Sequence, residues 1–91
     1  MEPLRHAASN ALQMLLDGQP TTAGKVTFAW TIAAGPIVSR AGAPQWSENG
    51  TLRVRARDAA WRLEIRHARP VIAERLDRLL GPGVIRRIVI E

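Results

Sequence analysis

Arg53, Arg55 and Arg57 alternate along residues 51–57, and Arg62, Arg66 and Arg69 follow at i, i+4 and i+7. Alternation sets three guanidinium groups on one face of a strand, and the second spacing sets three more along one flank of a helix. A guanidinium fork pairs with phosphate through parallel hydrogen bonds and stacks flat on bases. Between residues 53 and 69 these cations are opposed locally only by Asp58 and Glu64, so they repel one another, and an anionic ligand relieves the repulsion. Phosphates spaced along a nucleic-acid strand are the natural ligand, and such binding weakens steeply with salt. Charge alone leaves a second reading open. Solvent-facing strand residues are commonly charged, arginine stems cover apolar surface, and a charged comb keeps sheets from pairing edge to edge.

Other chemistry finds little support. Cysteine is absent, which removes disulfides, thiolate zinc sites and cysteine nucleophiles together. His6 and His67 are isolated and lack the spacing of a metal pair, and His67 falls opposite the apolar stripe of its helix. Ser9, Ser39 and Ser47 have no nucleophile-elbow motif around them. Gly81-Pro82-Gly83 reads as a helix stop, because no lysine or Ser/Thr follows where a phosphate loop needs them. Glu74 and Asp77 lie among arginines on a helix surface, which reads as ion pairing. The expectation is no catalytic residue, no metal, no cofactor and no enzyme.

The chain has 91 residues and 46% hydrophobic content, which bounds it to one small globular domain over 1–91. Its formal net charge is +5. Residues 1–50 carry three cations against three acids, and residues 51–91 carry ten arginines against five acids, so the whole excess lies in the second half. No stretch approaches the run of about 20 apolar residues that spans a membrane. The N-terminus lacks a basic region followed by an apolar core, so a soluble, cytoplasmic protein is expected.

The elements that carry the arginines follow from periodicity. Pro3 opens a first helix striped by Leu4, Ala7, Ala8, Ala11, Leu12 and Leu15, which Asp17-Gly18-Gln19-Pro20 ends. Thr22 caps a second helix running to about Arg40, with Val26, Ala29, Trp30, Ala33 and Ile37 on one face and a kink or restart at Gly35-Pro36. Residues 44–47 read as a short strand. Asn49-Gly50 supplies the positive φ angles of a tight turn, and residues 51–57 form a strand with Leu52, Val54 and Ala56 inward. Asp58 caps a long helix striped by Trp61, Ile65, Ala68, Ile72, Leu76 and Leu79, whose phase continues across Pro70 and predicts one kinked helix. Residues 84–90 form a last strand. The order helix, helix, strand, strand, helix, strand predicts an α+β fold, with a three-stranded sheet covered on one face by helices. The last strand runs parallel in direction to the second; pairing it with the first, in a fully antiparallel sheet, is the expected arrangement, and pairing with the second gives a mixed one. Trp30, Trp46 and Trp61 are expected to pack, with Phe28 the remaining aromatic.

The ordered series Trp30-x4-Gly35, Pro44, Gly50-x-Leu52-x-Val54, Ala60-Trp61, Glu64-Ile65 and Leu76-x3-Leu80-Gly81 resembles the DciA-like family, over about residues 26–90. The resemblance implies a bacterial loader of the replicative helicase, a fold similar to the K-homology domain, and contacts with the DnaB helicase and with single-stranded or forked DNA. It makes Arg53, Arg55, Arg57, Arg62, Arg66 and Arg69 the candidate phosphate contacts. A K-homology domain clamps single strands with a Gly-x-x-Gly loop, where this chain reads His67-Ala68-Arg69-Pro70. Any binding is therefore expected to be electrostatic and tolerant of sequence. Many relatives also carry a flexible basic segment, and a chain stopping at Glu91 reads as a minimal member. The alternative is a protein-interaction module that binds the helicase, or self-associates, without touching nucleic acid. The expected state is a monomer or weak homodimer without a membrane partner.

Overall fold

The computed structural model describes residues 21–91. The helix read over Leu4 to Leu15 lies outside the described residues. Thr22 opens α1 (Ala23–Ala41), its hydroxyl accepting from the Lys25 amide at 3.1 Å and so satisfying a donor that a helix start leaves unpaired. Val26, Ala29, Trp30 and Ala33 are buried, as their spacing predicts. Ile37, read onto the same face, is instead 68% exposed. Gly35, at φ 86° and ψ 166°, breaks the helix directly before Pro36, so the stripe loses its phase and Ile37 turns outward. Arg75 Nη1 of the second helix donates to the Ala33 carbonyl, in the interrupted turn, at 3.0 Å.

β1 (Gly42–Trp46) continues from α1 without a loop. The hairpin to β2 (Thr51–Ala56) closes with the Gly50 amide donating to the Ser47 carbonyl and the Ser47 amide donating to the Thr51 carbonyl, both at 2.9 Å. Within this hairpin loop only Gly50 has positive φ, at 91°. Asn49, expected to share that conformation, uses its side chain instead, accepting from the Thr51 amide at 3.0 Å. The loop is thus Glu48-Asn49-Gly50, the longer hairpin connection in which one left-handed glycine follows a turn.

Asp58 caps α2 (Ala59–Leu80), its carboxylate accepting from the Trp61 amide at 2.8 Å. The helix passes through Pro70 as one element. The missing proline amide hydrogen leaves the Arg66 carbonyl without its helical donor. Ile65, Ile72, Leu76, Leu79 and Leu80 are buried along one face. Gly81 stops the helix, donating to the Asp77 carbonyl at 2.9 Å.

β3 (Arg87–Ile90) is shorter than its β-branched run indicates, because residues 84–86 are spent leaving the Gly81-Pro82-Gly83 turn. It pairs parallel with β2, Leu52 opposite Ile88 and Val54 opposite Ile90, while β1 pairs antiparallel with the other side of β2. The strand order is β1-β2-β3 and the sheet is mixed, which overturns the fully antiparallel arrangement. The reason lies at the outer edge of β1. Pro44 has no amide hydrogen to offer there, and the Gly42 carbonyl already accepts from Trp30 Nε1 at 3.1 Å. β2 offers its second side without such obstruction.

Leu52, Val54, Ile88 and Ile90 point from the sheet into one hydrophobic cluster with Val26, Trp30, Ile65 and Leu76. The result is an α+β architecture with both described helices on one face of the sheet. Among the described residues no helix is long and apolar enough to cross a membrane.

Candidate nucleic-acid interface

Arg53 and Arg55 stand on the sheet face opposite the core, where alternation puts them, and both are exposed. Their partners across β1 are Gln45 and Ala43, and Val89 flanks Arg53 on β3, so short neighbours leave the guanidinium groups open to solvent. Between β1 and β2 lies a depression of 440 Å³ lined by Ala43, Pro44, Gln45, Arg53, Arg55 and Glu91. Glu91 is the one acid lining it, its carboxylate 3.9 Å from Arg53 Nη1. With both side chains about half exposed, that pair holds Arg53 only weakly and leaves it available to a stronger anion.

Arg57 follows the end of β2 and lies with its Cζ 5.8 Å from the centre of the Trp61 ring, a cation–π distance. Trp61, expected in the core, is half-buried on the first turn of α2 under that cation. Trp30 is buried, and Trp46 is half-buried against the core with its Nε1 enclosed and unpartnered among the described residues. Trp30 is thus enclosed, Trp46 leans on the core and Trp61 carries Arg57 over its ring. Phe28 is exposed on α1.

Arg62, Arg66 and Arg69 are exposed along one flank of α2, as their spacing predicts. That flank belongs to the helix layer, not to the open face of the sheet. Arg66 Nη2 reaches the Ile90 carbonyl at 3.4 Å, which places the flank beside β3. The six arginines accordingly form two strips, one on each side of the last strand, joined near the β2–α2 turn by Arg57. Arg87 links the strips at the opposite end of β3. It donates to the buried Thr51 hydroxyl at 3.5 Å and also lines a second depression, of 320 Å³, with Arg69, Asp77 and Arg86.

Asp77 and the pair Arg86-Arg87 are the members of this surface that the arginine spacing does not single out. For Arg86 and Arg87 the sequence signal is two cations set inside the β-branched run 84–90. Glu74 forms the expected helical ion pair, with Arg78 at 2.7 Å, whereas Asp77 forms none among the described residues. His67 is exposed, and no group of His, Cys, Asp or Glu among the described residues is arranged to hold a metal.

Residues 4–90 match the family described as Dna[CI] antecedent, DciA. The chain belongs to the DciA family. This is a family of accessory proteins of bacterial DNA replication, of the replicative-helicase loader type and associated with the DnaB helicase. No curated protein matches the chain. In this DciA-family chain the stretch His67-Ala68-Arg69-Pro70 lies inside a continuous helix, so no loop interrupts the cationic flank there.

Proposed function

We propose that this chain is a non-enzymatic replication accessory domain that binds the DnaB helicase and holds single-stranded or forked DNA on its arginine strips. The observation that carries the DNA reading is the open sheet face. Arg53 and Arg55 project side by side from a central strand, between short neighbours, with a single weakly paired acid beside them. Phosphates are the chemistry such a face accommodates, since each guanidinium presents its fork to solvent on a rigid backbone. Six guanidinium groups with Trp30 enclosed in the core and Trp61 engaged by Arg57 favour contacts to the sugar-phosphate chain over base stacking, hence tolerance of sequence.

Fluorescence anisotropy with labelled single-stranded DNA across a salt series tests this reading. The expected result is an affinity falling log-linearly with salt, with a slope near −0.7 per phosphate contact in order of magnitude. R53E/R55E is expected to weaken binding at least about tenfold and to flatten the slope while the domain stays folded. Unchanged affinity in that variant removes the sheet face from the interface.

A further inference from the structure

Among the described residues the outer edge of β3 is an unpaired strand edge in a cationic groove. The Arg87 amide donates to the Gly50 carbonyl, the Glu91 amide donates to the Val54 carbonyl, and the Glu91 carbonyl accepts from Ala56, so residues 87, 89 and 91 turn their backbone groups toward β2. The backbone groups of Ile88 and Ile90 face the opposite way. Arg66 occupies the Ile90 carbonyl. Among the described residues nothing occupies the Ile88 amide, the Ile88 carbonyl or the Ile90 amide. Ile88 lines the 320 Å³ groove whose other wall is Arg69, Pro70, Ala73 and Asp77 of α2. Pro70 and Ala73 are short, which leaves room for a chain lying against the strand.

The two edges of the sheet are treated differently. At β1 a proline and the Trp30 indole remove two of the groups a further strand would need, the amide at position 44 and the Gly42 carbonyl. At β3 the donors and acceptor remain and only one carbonyl is held, by a movable arginine. We infer that this edge accepts an extended acidic segment of a partner protein as a fourth strand. Alternating N–H and C=O groups are matched by another peptide backbone, and a phosphodiester chain has no N–H to return. Charge selects the occupant further. Among the described residues Arg66, Arg69, Arg86 and Arg87 surround the edge, with Asp77 the one acid lining the groove. A second copy pairing here would bring two such clusters together, whereas glutamate or aspartate on alternate positions meets them. The inference does not rest on the sheet face binding DNA.

The test uses the full chain and a labelled Glu-Val-Glu-Val-Glu-Val peptide, followed by anisotropy at low salt. Two further peptides carry N-methyl groups on the glutamates or on the valines, which blocks the amides of one edge of the added strand and leaves its charge intact. The expected result is saturable binding, weakened about tenfold by one N-methyl series and little by the other, because only one series meets β3. R69E/R86E, at two exposed positions, is expected to lose at least about tenfold and R53E/R55E markedly less, which separates this site from the DNA reading. Equal binding by both N-methylated peptides would reduce the interaction to charge and overturn strand addition, as would absence of binding.

Discussion

Gly42 is the position at which three elements come closest. A Cβ built there would stand 2.7 Å from Val54 Cγ1, 3.0 Å from Ile65 Cδ1 and 3.3 Å from Trp30 Cζ2, so the carbonyl that Trp30 holds sits on a backbone with no room for a side chain. Gly42→Ala is therefore expected to destabilise the domain by about 1–3 kcal/mol through overpacking, read as a lower denaturation midpoint. Gly50 is constrained for two separable reasons. Its φ of 91° disfavours any Cβ, and that Cβ would meet Arg86 Cγ at 2.8 Å. Gly50→Ala is expected to cost about 1–2 kcal/mol, of which Arg86→Ala in the same chain restores only the steric part due to Cγ and Cδ, since the Cβ at position 86 stays 3.1 Å away. A double-mutant cycle by chemical denaturation measures that coupling; full recovery would mean that the backbone conformation costs nothing there.

Among the elements, those fixed by neighbouring residues were legible in the sequence. Thr22 and Asp58 accept from the amides three residues on, Leu52 and Val54 face in while Arg53 and Arg55 face out, and the stripe from Ile65 to Leu79 is buried. What was not legible depends on contacts between distant segments. The side of the sheet that β3 joins was decided by an indole and a proline at the far edge of β1, neither of which lies near the last strand in sequence. Ile37 kept its apolar identity but lost its place when Gly35 broke the helix. The arginine spacing located the exposed cations, yet could not say that helix trio and strand comb lie on different layers, because nothing local fixes which way the last strand returns. Pro70 gives a prediction at this scale. α2 runs through it without an amide hydrogen at position 70 for the Arg66 carbonyl, so Pro70→Ala supplies that donor and is expected to stabilise the domain by about 1 kcal/mol, the helical gain being partly offset by a freer unfolded chain. Thermal unfolding followed by circular dichroism shows this as a higher midpoint.

At the scale of the whole molecule, the described residues form a two-layer body of 36 × 33 × 18 Å with one apolar core between helices and sheet and the other face of the sheet turned outward with its cations. Placing β2 in the centre has a temporal consequence. The β1–β2 hairpin joins residues close in sequence and can close within microseconds, whereas β3 must wait until the whole of α2 has carried the chain back. During that interval the second side of β2 is bare, and Leu52 and Val54 lie on a strand that any other hairpin could extend. Arg53 and Arg55 are present on that strand from the start. The cations proposed to hold phosphate in the finished domain thus stand guard earlier, when like charge keeps half-folded copies from joining one another.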